Sequence, residues 1–129
     1  MKTSWIRPLF VVAALYDLDL GVAFFFAFKP IYEQFAIPLP NHDAYVQLPA
    51  ALIAIFGLGF WFVAQAPERN RDLITLGVLM KLAFSGVILS YAFRDAIPSM
   101  WVPLAWIDVA FMVAFTAALR AVGAGSARA

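Results

Sequence analysis

The chain has 129 residues, of which 64% are hydrophobic and 13% charged, with a net charge of +1 at neutral pH. Soluble domains carry about 25% charged residues, so the balance indicates a membrane protein, and a net charge this small gives no basic field for nucleic acid. With no cysteine there is no disulfide, thiolate nucleophile, iron–sulfur cluster or cysteine-ligated zinc. The length fits one domain, 1–129.

Four apolar runs follow, each about the length that crosses a bilayer as a helix. Lys2 and Arg7 precede the apolar stretch Leu9 to Leu15 in the manner of a signal peptide, but the stretch is read here as the start of the first span, about residues 5–28. Pro8 falls in its first turn, where a missing N–H costs little. Asp17 and Asp19 interrupt the span at mid-depth. At about 100° per residue they point roughly 200° apart, so one site cannot easily use both. Asp17 shares a face with Ala13, Ala14 and Gly21, small residues that let another helix approach. Asp19 lies with Leu15, Val22, Ala23 and Phe26, and the better-packed acid is expected to be Asp17.

Lys29-Pro30 is read as the end of this span. In the following connection, Ile31, Tyr32, Phe35 and Ile37 suit a short amphipathic turn on the membrane surface, with Glu33 and Gln34 in water. Pro38 and Pro40 break any helix there. The second span, about 44–66, has Asn41 or Asp43 as a candidate N-cap and Pro49 near its start. Ala50, Ala51, Ala54, Gly57 and Gly59 suit close packing. Gln47 is its notable polar group, and Trp61 is placed toward the interface.

Pro67 to Arg71 is a tight link into the third span, about 72–93. Here Gly77, Lys81 and Ser85 recur every fourth residue on one face. After Pro98, the fourth span covers about 100–119, with Pro103 in its first turn. Asp108 shares a face with Leu104, Ala105, Met112 and Phe115. Ala121 to Ala129 is read as a small flexible tail.

Lysine and arginine are distributed unevenly. Lys2, Arg7, Arg69, Arg71, Arg120 and Arg128 fall on one side, and Lys29 and Arg94 on the other. This bias puts both termini in the cytoplasm. At about 1.5 Å per residue, Asp17, Lys81 and Asp108 then all lie within roughly one turn of the midplane. A lone ammonium at that depth costs a few kcal/mol on insertion scales, so Lys81 should face the protein and meet an acid. The expected architecture is an all-α, integral membrane, up-and-down four-helix bundle.

Leu20-Gly21, the phenylalanine-rich stretch with Lys29, and Tyr45-Val-Gln-Leu-Pro49 resemble the DoxX-like group of four-span bacterial membrane proteins. Pro67-Glu-Arg-Asn-Arg71, the glycine and lysine of the third span, and Ile107-Asp108 add to the likeness. The resemblance implies an up-and-down four-helix bundle in the bacterial inner membrane. Members of the wider group have been linked to quinol oxidation, thiosulfate metabolism and redox stress, often as subunits of larger assemblies. None of these roles transfers to particular residues here.

The chemistry centres on the charged residues at mid-depth. Asp17, Lys81 and Asp108, with Asp19 and Ser85 beside them, form either the polar end of a site for an apolar or amphipathic molecule, or a buried ion pair that fixes helix register. Three acids against one base leave surplus carboxyl groups, as a proton-coupled site would need. At the outer interface, His42, Asp43 and Glu33 form a polar group. One histidine with two carboxylates does not make a persuasive metal site, and no metal or catalytic residue is assigned. Phe24, Phe25, Phe26, Phe111 and Phe115 suit core packing, lipid contact or the lining of a pocket.

No phosphate loop, nucleophile elbow or zinc helix motif appears. The expected function is therefore non-catalytic binding of a quinone or lipid, open between spans one, three and four. The bilayer is the first partner. The alternatives are an accessory subunit of a larger membrane complex, and a small proton-coupled transporter built from two copies.

Overall fold

The computed structural model describes residues 3–128, with side chains described as far as residue 123. Lys2, and the side chain of Arg128, both counted in the charge bias, lie outside the described residues, as does Ala129. Helices α1 (Ile6–Gln34), α2 (Ala44–Gln65), α3 (Arg71–Ala92) and α4 (Trp101–Arg128) follow in order, with a 3₁₀ turn at Pro67–Arg69 between α2 and α3. Each α-helix is long and apolar enough to cross a membrane, which makes this a multi-pass membrane protein with an up-and-down arrangement. Thr3, Arg7, Glu68 and Val122 line one cavity, so both chain ends and the α2–α3 link meet at the same end of the bundle.

Two elements differ from the sequence reading. The first helix does not end at Lys29-Pro30. It bends at Ala27 (φ −129°, ψ 22°) and continues to Gln34 with Pro30 inside it. Proline cannot donate to the carbonyl four residues back and its ring crowds that carbonyl, so the helix kinks there and restarts. Tyr32, assigned to the membrane surface, is instead buried, with its ring edge-on to Phe28 (5.7 Å between centroids) and to Trp101 (6.2 Å). The second difference is in the tail, which is helical through Arg128. Its alanines are strong helix formers, and Ala121 and Val122 join the core.

Both α1 and α3 end in the same way. Ile37 N–H donates to Tyr32 O (2.8 Å) and Ala36 N–H to Glu33 O (3.1 Å), with Ala36 at φ 54°. In α3 the equivalents are Ala96 to Tyr91 O (2.9 Å) and Asp95 to Ala92 O (3.0 Å), with Asp95 at φ 52°. This is the Schellman pattern, in which a left-handed residue lets the chain satisfy the last carbonyls. The carbonyls that end α2 are served by a side chain: Asn70 Nδ2 donates to Phe62 O (3.0 Å) and Ala66 O (2.9 Å).

The four helices pack as two tight antiparallel hairpins, α1 on α2 and α3 on α4. Glycine sets the first. A Cβ at Gly21 would lie 2.6 Å from the Ala50 carbonyl oxygen, and one at Gly57 would lie 2.7 Å from Leu18 Cγ, so the two backbones touch where these residues fall. Such small-residue contacts drive association in lipid, where apolar burial alone gives little preference.

Between the hairpins, large side chains fill the space. Phe10 stacks on Phe115 (4.6 Å) and tilts against Phe60 (6.0 Å), and Phe60 fits over Gly77, whose added Cβ would meet the Phe60 ring at 2.6 Å. Phe10, Phe60 and Phe115 belong to one buried cluster in the half of the bundle near the termini, and Phe24, Phe28, Tyr32 and Ala50 form a second in the other half.

Candidate functional site

Asp17 lies on α1 between Ala14, which belongs to the first cluster, and Phe24, which belongs to the second. On α3 the buried stripe is Ile74, Gly77, Lys81, Ser85 and Ile88, so the Lys81 side chain points inward. On α4 the inward stripe includes Ala105, Asp108 and Phe115.

The three charged groups meet. Lys81 Nζ donates to Asp17 Oδ1 and to Asp108 Oδ1, both at 2.9 Å. Lys81 and Asp17 are each 1% exposed and Asp108 4%. The lysine thus spans from α3 to its hairpin partner α4 and across to α1 of the other hairpin. Three rings enclose the ammonium, those of Phe111, Tyr16 and Phe60, with centroids 5.1, 5.4 and 5.8 Å away. Their faces interact favourably with a desolvated cation. The protons of Nζ are therefore directed at two carboxylates and an aromatic wall, and the triad is closed.

One side of the triad is less complete. With both acids ionised it carries a net charge of −1, and a single added proton makes it neutral. Asp17 Oδ2 is buried and has no hydrogen-bond partner among the described residues, and the same is true of the Tyr16 hydroxyl. Oδ1 of Asp17 is the atom committed to Lys81.

The remaining residues of the sequence-derived site are placed as follows. Ser85 is buried, but its hydroxyl donates to the carbonyl of Lys81 (2.7 Å), so it is tied to its own helix. Asp19 is exposed on the outer face of α1 and does not reach the triad. Its Cα lies two residues beyond Asp17, which turns the side chain away from the bundle axis.

At the outer interface, Asp43 precedes α2 without capping it through its side chain. His42 does that instead, its Nδ1 accepting the Ala44 N–H at 3.1 Å. Asp43 pairs with Lys29 at 3.2 Å in an exposed contact, and Glu33 is exposed. These three residues do not converge on a common centre with the triad.

A groove of about 160 Å³ opens beside the second cluster, lined among others by Leu20, Phe24, Tyr45, Pro49, Phe84 and Trp101. Leu20 and Phe84 lie three residues beyond Asp17 and Lys81 along their helices, so the floor of the groove is about one turn from the triad. It draws on all four helices, with α2 contributing Tyr45 and Pro49, whereas the sequence reading gave the opening to spans one, three and four. Trp101 stacks on Phe24 at 5.4 Å and forms part of its wall. The phenylalanines divide accordingly: Phe24 lines the groove, Phe115 and Phe111 surround the core and the ammonium, and Phe26 faces outward.

Sequence reasoning did not single out Tyr16, Phe60 or Phe111 as the box around the ammonium. Their only signal was position, with Tyr16 adjacent to Asp17 and Phe111 one turn from Asp108. Compared with family models, with characterised proteins and with solved structures, the chain has no match.

Proposed function

We propose that this chain is a non-catalytic protein of the bacterial cytoplasmic membrane, of the DoxX-like kind, that binds one apolar or amphipathic molecule, a quinone or a lipid. The observation that carries the reading is the aromatic-walled groove between the hairpins. Its volume, about 160 Å³, is roughly half the lower limit for sites that enclose a whole drug-sized molecule, about 300 Å³. It therefore holds one ring or a length of acyl chain, while the rest of the molecule stays in the bilayer. Tyr45 at its mouth and His42 nearby suit a polar headgroup at the interface, where amphipathic aromatic residues are at home. The triad stands about one turn below the floor of the groove and does not line it.

Quenching of tryptophan fluorescence tests this. A short-chain quinone or a brominated lipid titrated into the protein in nanodiscs should quench Trp101 saturably at one molecule per chain. Phe84→Trp, which fills the groove, and Trp101→Phe, which removes the reporter, should each abolish the saturable phase. Quenching that is linear with concentration, or that acts equally on Trp61 and Trp106, overturns the assignment.

A second reading is favoured by the closed triad. If the charges only lock the helices, the chain serves as an accessory subunit of a larger membrane complex. Stoichiometric co-purification of the same foreign chain in mild detergent, with no saturable quenching, selects it.

A further inference from the structure

The outer face of α1 carries an ionisable group at a depth where lipid offers no partner. Asp19 is exposed, and among the described residues it has neither an ion pair nor a hydrogen bond. Counting 1.5 Å per residue, its Cα lies roughly 20 Å along the helix from Ile6 and roughly 22 Å from Gln34. A side chain with one methylene cannot reach the interface from there. Leaving it in acyl chains is costly, because hydrocarbon can neither solvate nor hydrogen-bond a carboxyl group.

The residues around it are ordered. Val12, Leu15, Asp19, Val22 and Phe26 are spaced by three, four, three and four, and the four apolar ones are half exposed or more. This is the spacing of a coiled-coil seam, with one polar residue at an a-type position, the device that fixes register and partner number where two such helices pair. The stripe stops at Phe26, immediately before the bend at Ala27. The outward faces of α2 and α3, by contrast, present Leu48, Leu52, Ile55, Leu76, Leu79 and Leu82, side chains that lipid satisfies.

We propose that this stripe is the contact surface for a second copy of the chain, with α1 against α1 about a two-fold axis along the membrane normal. Copies inserted with the same topology run parallel, so each residue of the seam meets its own counterpart at the same depth. The two Asp19 carboxyl groups then face each other across the axis and satisfy one another through a shared proton. No cationic partner is needed. A foreign helix could cover the face only if it brought its own polar group to that level. The surface lies on the side of α1 turned away from the triad, and the proposal does not depend on the groove or its ligand.

The lack of native cysteine makes single-cysteine crosslinking clean. In membranes under mild oxidation, Leu15→Cys and Val22→Cys should give a covalent homodimer, whereas Leu79→Cys and Val113→Cys, equally exposed but on α3 and α4, should not. In single-molecule counting in bilayers, Asp19→Ala should raise the dimer dissociation constant roughly tenfold, the scale of one or two interhelical hydrogen bonds in a bilayer, and Asp19→Asn should restore most of it. Asp19 points out of the bundle, so neither change disturbs the fold. The proposal is overturned if the wild-type chain counts as a monomer, if all four cysteine positions crosslink alike, if the crosslinked product contains a different chain, or if Asp19→Ala dimerises like wild type.

Discussion

Replacing Lys81 with methionine tests the structural role of the triad most directly. Methionine keeps the unbranched length and much of the volume, so the cavity term is small. The charge and both donors are lost. Each of the 2.9 Å contacts to Asp17 and Asp108 is a hydrogen bond between ionised groups, worth about 1.5–3 kcal/mol, and the two acids are left buried without a counter-charge. Stripping one partner from a buried ion pair costs about 3–5 kcal/mol, and with two acids orphaned the expected loss for Lys81→Met is at the upper end of that range, about 5 kcal/mol. Reversible unfolding in mixed micelles, followed by circular dichroism or by steric trapping, measures it.

A triple variant, Lys81→Met with Asp17→Leu and Asp108→Leu, removes all the charge. Buried ion pairs replaced by well-packed apolar residues are often neutral, so the triple variant should recover to within about 2 kcal/mol of wild type. A single Lys81→Met variant as stable as wild type would refute the claim that the triad clamps the hairpins. A triple variant no better than the single would show that the loss came from packing and not from charge.

Asp17→Asn should be far milder than Lys81→Met, costing about 1 kcal/mol in the same assay, because its amide oxygen can still accept from Lys81 while Asp108 keeps the lysine neutralised. Gly21→Ala should cost about 1–3 kcal/mol, since its Cβ would lie 2.6 Å from backbone atoms of Ala50 and Ala54. Gly59→Ala and Gly86→Ala, which meet nothing within 4 Å, should instead stabilise by about 0.5–1 kcal/mol. Ala36→Gly should also stabilise, by up to about 1 kcal/mol, because it relieves a left-handed residue at the end of α1, and thermal unfolding with Asp95→Gly alongside should show the same sign.

Much of this was legible in the chain because membranes impose simple rules. Apolar runs near twenty residues must be helices, and the four spans are marked by them. The choice of Asp17 over Asp19 as the inward acid came from neighbours: Ala13, Ala14 and Gly21 mark a face another helix can approach, and Leu15, Val22 and Phe26 a face that looks outward. Equal depth for Asp17, Lys81 and Asp108 followed from counting residues.

What was not legible depended on details that local patterns leave open. Pro30 reads equally as a stop or as the start of a helix, and here it follows a bend within one. The alanines of the last segment fit a loose tail by composition and a helix by propensity. Asn70 follows a proline-led turn and gives no sign that it will cap the preceding helix. The chain contains thirteen phenylalanines and four tyrosines, and the three rings around Lys81, two of the former and one of the latter, could not be picked out before the hairpins were placed against each other. The groove exists only between packed hairpins, so the share that α2 takes in it has no local signature.

The division into hairpins also bears on how the molecule is assembled. Each half is a pair of closely packed helices and can enter the bilayer as a loop of two helices, as the two-stage picture of membrane folding describes. What joins the halves at mid-depth is a single cation reaching from one to the other. A chain divided at the Pro67–Arg69 link and produced as two polypeptides already has the pieces needed to reunite, and the lysine on one fragment is the feature by which it would recognise the aspartate on the other.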